Sequence, residues 1–128
     1  IIIYYIMKEE IKIIDAQFVV SFGLILTIII SIIINYDVKQ KLLHKKRIFD
    51  NNQKRHVNLI NRIVFTLIVI FSLYISYQQY ELKKESNPDP YIHQIYANWL
   101  NVIASLIILY IIYETWDEEG LSNTQNLI

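Results

Sequence analysis

The 128-residue chain contains no cysteine. That absence removes disulfide scaffolds, thiolate zinc sites, iron–sulfur ligation and cysteine nucleophiles together, and it leaves the redox compartment unmarked. Glycine and proline are nearly as scarce, two of each. Neither occurs between Gly23 and Pro88, so nothing in that stretch forces a helix to end at a membrane surface. Neither sign of charge is in excess, 12 Lys and Arg against 12 Asp and Glu, which gives no case for a nucleic-acid partner. Methionine occurs once, at Met7, behind Ile1. A non-AUG start, a frame extended upstream of a start at Met7, and a removed leader all fit that order. Ser/His/Asp triads, phosphate loops and paired catalytic carboxylates are also missing, so the chain is not expected to be an enzyme by itself or to hold a cofactor.

What the sequence has is isoleucine, 28 residues of it, within a composition that is 54% hydrophobic. The percentage alone would suit a globular domain; its distribution decides the matter. Residues 16–36 form a run of 21 without a charge, residues 63–80 a run of 18, and residues 91–113 a run of 23 with His93 counted neutral. At about 1.5 Å per residue the first is about 31 Å long, the thickness of a bilayer's hydrocarbon core. The expected fold is a single all-α membrane domain over 1–128, with transmembrane helices at about 14–36, 58–80 and 90–119 and a tail at 120–128. Ser21 and Gly23 lie inside a span too long for a signal peptide, so the first helix is read as retained. Eight of the ten tyrosines and both tryptophans lie at span ends or their flanks, as in an aromatic belt.

Orientation follows from Lys and Arg. Residues 37–56 carry seven: Lys39, Lys41, Lys45, Lys46, Arg47, Lys54 and Arg55. The N-terminal segment has Lys8 and Lys12, and the second loop Lys83 and Lys84. The positive-inside rule then puts the first loop inside and gives an N-out, C-in topology. Val38, Leu42 and Phe49 fall within about 40° of one another on a helical wheel, so part of 38–49 is expected along the membrane surface. Lys45, Lys46, Arg47, Lys54 and Arg55 are then candidates for anionic headgroups such as cardiolipin or phosphatidylglycerol, and Arg62 is expected to snorkel to the same interface. Residues 50–53 are the best turn. Asp89 is the expected N-cap of the third helix, with Pro90 at its first position, and Gly120 the expected stop behind an acidic end at Glu114, Asp117, Glu118 and Glu119.

Each span carries one polar or small-residue seam. Gly23, Thr27, Ser31 and Asn35 recur every four residues in the first. Thr66, Ser72 and Ser76 lie on one arc of the second with Asn58 and Asn61. Asn98, Asn101 and Ser105 follow Gln94 in the third. Such stripes let membrane helices approach closely and exchange hydrogen bonds. A hydrophilic path is the sharper reading, but no ionisable residue lies deep in any span, as ion and proton relays require. Packing, within the chain or against other subunits, is the expectation. His44, His56 and His93 share no helical face at ligand spacing, so no metal site is expected.

Residue types with A/T-rich codons (Ile, Asn, Tyr, Lys, Phe, Met) number 63, against 10 for those with G/C-rich codons (Gly, Ala, Arg, Pro). Such bias suits mitochondria, plastids, some low-GC bacteria and their phages. The three-helix, N-out, C-in plan with a basic inner first loop is similar to the smallest membrane-arm subunit of respiratory complex I. The similarity is one of topology and carries no motif; the glutamates that family buries in its second and third helices have no counterpart here. The resulting expectation is a small non-catalytic membrane subunit of an energy-transducing complex, respiratory-chain or ATP synthase, in the mitochondrial inner membrane. The alternatives are a phage holin-like pore former, or a small bacterial immunity or accessory protein in the cytoplasmic membrane. The long basic loop and acidic tail depart from the short loops and basic tail of three-helix holins.

Overall fold

A computed structural model describes residues 1–116 of the chain. Among these the fold is all-helical: α1 (Ile2–Leu42), α2 (Asn51–Lys83) and α3 (Asp89–Glu114), each long and apolar enough to cross a membrane. At about 1.5 Å per residue they measure about 60, 50 and 39 Å. All three helices overrun or shift the bounds that hydropathy alone suggests. The charged segment ahead of residue 16 continues α1 because it contains no breaker and because Lys12 pairs with Glu9 one turn away, at 3.4 Å. At the other end, Val38–Leu42 extend α1 and do not form a separate surface segment. Gly120, the acidic residues at 117–119 and the tail at 120–128 lie outside the described residues.

The turn that ends α1 uses no glycine. His44 takes φ 57°, its N–H donates to the Lys41 carbonyl (3.1 Å), and the Lys45 N–H donates to the Gln40 carbonyl (2.9 Å). This paired closure is a Schellman motif with histidine at the left-handed position normally held by Gly. Six residues after His44, Asp50 opens α2 through a capping box: its carboxylate accepts from the Gln53 N–H (2.7 Å), and Gln53 Oε1 accepts from the Asp50 N–H (3.1 Å). The polar cluster at 50–53 is therefore a helix start. At α3 the N-cap is Pro88, one residue ahead of the expected Asp89, which occupies the first turn with Pro90. Pro suits that place because a first-turn N–H has no intrahelical partner to lose.

Helix α2 is the middle of the layer. It packs antiparallel against α1 on one side and α3 on the other, while α1 and α3 do not pack on each other among the described residues. Val69 and Leu73 of α2 meet Ile95 and Val102 of α3 in an apolar cluster, flanked by Phe65 and Tyr80. Burial is inverted relative to a water-soluble bundle. Among the described residues seven apolar side chains are buried and eight polar or charged ones, while long rows such as Phe18, Phe22, Ile25, Ile28, Ile29 and Ile32 are exposed. A surface of that kind is stable against hydrocarbon and not against water. The three helices together point to an integral membrane protein.

Candidate functional sites along the helix seams

Two side-chain amides tie the layer together. Asn61 of α2 donates through Nδ2 to the Thr27 carbonyl (3.3 Å) and to Ser31 Oγ (3.1 Å) of α1. Asn98 of α3 donates to Ser76 Oγ of α2 and reaches the Ser72 carbonyl at 3.5 Å. Gly23 lies against Ile68, so close that a Cβ there would meet the Ile68 Cδ1 at 2.7 Å. Five seam hydroxyls are satisfied locally: Thr27 donates to the Leu24 carbonyl, Ser31 to Thr27, Thr66 to Arg62, Ser72 to Ile68 and Ser76 to Ser72. Hydroxyls folded back onto their own helix can face a packed seam without water.

Three seam residues, Asn35, Asn101 and Ser105, fall outside these contacts. Asn35 and Asn101 are exposed. A four-residue step advances about 40° around a helix, so from Gly23 to Asn35 the stripe has rotated by about 120° and left α2. On α3 the buried positions are Ile95, Val102, Ser105 and Ile112, with Asn98 half-buried among them. That is a heptad-like line of seven-, three- and seven-residue steps, and Asn101 sits one residue off it. Ser105 is buried on the line, and its Oγ has no partner among the described residues.

The connector at 43–50 is organised by a residue that the composition of the basic loop conceals. Asp37 is fully buried; its Oδ2 accepts from Arg47 Nη2 (2.6 Å) and Nε (3.2 Å), and its Oδ1 accepts from the Ile48 and Phe49 N–H groups (2.8 and 3.0 Å). Arg47 Nη1 continues to Asn51 Oδ1 (2.7 Å), which also accepts from Lys41 Nζ (3.1 Å). Asp37 lies just beyond the uncharged run. Desolvation pushes its carboxyl up, but the Arg47 and backbone hydrogen bonds and the arginine's charge outweigh that and hold it below the ordinary 3.8.

The six headgroup candidates therefore divide. Lys45 and Lys46 are exposed on the connector, and Arg62 is half-exposed on α2. Arg47 is committed to Asp37 and Asn51. Lys54 is turned inward, with 4% of its surface accessible. Arg55 donates to the Trp116 carbonyl (3.0 Å) and to Asn52 Oδ1 (2.8 Å), and its guanidinium lies 4.4 Å from the Trp116 ring centroid. His56 meets the same indole edge-on at 5.4 Å. The positive-inside count registers charge and not partners, so it does not distinguish a cation clasping a helix end from one facing lipid. At the opposite end of the layer, Lys83 pairs with Glu10 (2.6 Å), and this bond and its charge raise the lysine above its ordinary value.

Among the lateral openings of the described residues, two lie along the seams. One, of about 370 Å³, lies where α1 and α3 diverge over α2 and is lined by Gln17 and Ser21, Ser72 and Ile75, and Gln94 and Asn98. The other, of about 220 Å³, is on the α1–α2 side, near Asn61 and Arg62. Among the described residues no three His, Asp or Glu side chains come together as a metal site would require.

No known family, curated protein or solved structure matches this chain.

Proposed function

We propose that this chain is a small, non-catalytic membrane subunit that docks into a larger energy-transducing complex of the respiratory-chain or ATP synthase kind. The observation that carries the reading is the cleft between α1 and α3. It presents Gln17, Ser21 and Gln94, none with a side-chain hydrogen bond among the described residues, beside the Ser72 and Asn98 pair. Amides and hydroxyls facing lipid cost free energy that a packed helix with its own hydrogen-bonding groups recovers. A neighbouring subunit's helix, seated over α2, completes the layer.

The residue bias toward A/T-rich codons supports an organelle gene, and with it the mitochondrial inner membrane; a bacterial cytoplasmic membrane is the alternative. The concentration of Lys and Arg in 37–56 supports the N-out, C-in orientation. Exposed Lys45 and Lys46 then face anionic lipid such as cardiolipin. Blue-native electrophoresis of native membranes, with mass spectrometry of the band, tests the proposal. Co-migration with respiratory or ATP synthase subunits is the expected result. A ladder of homo-oligomers would replace this reading with the pore-forming one.

A further inference from the structure

The interhelical contacts fix the relative heights of the three uncharged runs. Gly23 of α1 lies against Ile68 of α2, Asn61 reaches Thr27 and Ser31, and Glu10 pairs with Lys83. These contacts, spread along both helices, hold one antiparallel register, with Asp15 at about the height of Ser76 and Arg62 at about that of Ile29. Between α2 and α3, Asn98 bonds to Ser76 and Arg55 to the Trp116 carbonyl. Residues 91–113 of α3 therefore lie level with about 60–82 of α2. The runs 63–80 and 91–113 are centred on each other, whereas the run 16–36 is displaced toward the connector by about 10 Å.

The displacement shortens what the helices share. Free of charge at the same height are only residues 16–28 of α1, 63–75 of α2 and about 98–110 of α3, a belt of about 20 Å where an ordinary hydrocarbon core needs about 30 Å. Asp15 bounds the belt on one side and Arg62 on the other. Asp15 is exposed and Arg62 half-exposed, and neither side chain has an ion pair or hydrogen bond among the described residues. An arginine reaches toward water along its own stem; an aspartate, with one methylene, does not. Beyond the belt the α2 run ends in Gln78 and Gln79, and the α3 run contains His93 and Gln94, groups that hydrogen-bond to water or headgroups. At the connector end the exposed Ile32 and Ile33 of α1 are left at headgroup depth. That costs less than drawing an unpaired carboxylate into hydrocarbon.

We infer that the layer is matched to a thin bilayer: its α1–α2 edge draws an ordinary bilayer inward from both sides and binds phospholipids with short acyl chains in preference to long ones. Selection is by chain length and is indifferent to the headgroup, which separates it from the attraction of the connector lysines for anionic surfaces. It does not depend on the chain's being a subunit of a complex.

The native tryptophans supply the readout. The full-length chain is reconstituted in phosphatidylcholine whose monounsaturated chains have fourteen or eighteen carbons, in competition with a brominated eighteen-carbon lipid that quenches Trp99 and Trp116. The expected result is a relative binding constant about twofold higher for the fourteen-carbon lipid. In Asp15→Leu/Arg62→Leu the shared belt grows to about 28 Å, bounded by Lys12 and Glu114, and the preference should pass to the eighteen-carbon lipid. Asp15→Leu alone, which breaks no contact among the described residues, should move the preference part of the way and serves if the double variant does not fold. Lys45→Gln/Lys46→Gln should keep the fourteen-carbon preference, since both lysines lie outside the belt. An eighteen-carbon preference in the unmodified chain, a fourteen-carbon preference unchanged by the Asp15 and Arg62 substitutions, or its loss in the lysine variant overturns the proposal.

Discussion

Asp37 and Arg47 meet at 2.6 Å at the end of α1, the Asp37 side chain sealed from solvent and the Arg47 side chain 19% exposed. Ten residues apart in sequence, they close the connector that turns α1 back into α2. Removing the cation leaves a carboxylate whose burial is no longer compensated, and such a loss costs about 3 kcal/mol. Arg47→Gln is therefore expected to lower the thermal midpoint measured by circular dichroism in micelles and to expose 43–50 to protease. A Lys45→Gln variant, which removes an equal charge from the same connector without a buried partner, should do neither.

The same carboxylate sets an acid limit. Its folded pKa is lowered from 3.8, so the folded state binds its proton less readily than the unfolded chain. Its contribution is fully present above the unfolded value and is lost as pH falls through the lowered folded one. Stability should be insensitive to this group from neutral pH down to about 4 and decline below it. In Asp37→Asn that part of the decline should disappear from a baseline already reduced. An unchanged acid limb in the variant would assign the transition to other carboxylates.

At His44 the left-handed conformation costs a non-glycine residue about 1 kcal/mol. His44→Gly should recover part of that, raising the thermal midpoint, and His44→Val should lower it, since a β-branched side chain tolerates positive φ least. Equal midpoints for the two would show that the turn does not require φ 57°.

Gly23 is a close approach between helices. Its neighbour is the far end of Ile68, a flexible side chain, so Gly23→Ala is accommodated by a small shift. Gly23→Leu forces α1 away from α2 at about 1–3 kcal/mol. Ile29→Leu, on the exposed side of α1, should change stability by less than about 0.5 kcal/mol. Because the chain has no native cysteine, disulfide trapping between engineered cysteines at Gly23 and Ile68 reads the approach directly, and Gly23→Leu has its own readout in circular dichroism.

Asn98 and Asn101 separate a packing role from an exposed one. Asn98→Leu removes the donor to Ser76 and should destabilise the isolated chain by about 0.6 kcal/mol, an ordinary interhelical value in membranes. Asn101→Leu should leave the isolated chain unchanged, because the side chain is exposed. Equal losses would place both on the α2 contact.

The three spans were legible because a charge-free run of bilayer length has few other readings. Their ends were less so. Nothing between residues 2 and 15 breaks a helix, yet its charges look like a flank, and His44 does the work for which sequence reading seeks glycine. The seams were visible as composition but not as geometry. A four-residue repeat looks straight on paper and rotates on a helix, so Thr27 and Ser31 meet Asn61 while Asn35 turns away. Asp37 is outnumbered in sequence by seven basic neighbours, and its pairing with Arg47 depends on a turn that neither residue announces. That α2 lies between helices that do not touch is a property of tertiary packing, and it creates the cleft between α1 and α3.

The most direct test of the central claim is photo-crosslinking in native membranes from a probe at Gln94, which is exposed at the rim of the α1–α3 cleft, with a probe at Ile29 on the open face of α1 as the control. Docking through the cleft predicts a crosslink from position 94 to a different membrane subunit, identified by mass spectrometry as part of an energy-transducing complex, and none to that subunit from position 29. Crosslinks from position 94 only to lipid, or only to further copies of this chain, would contradict it.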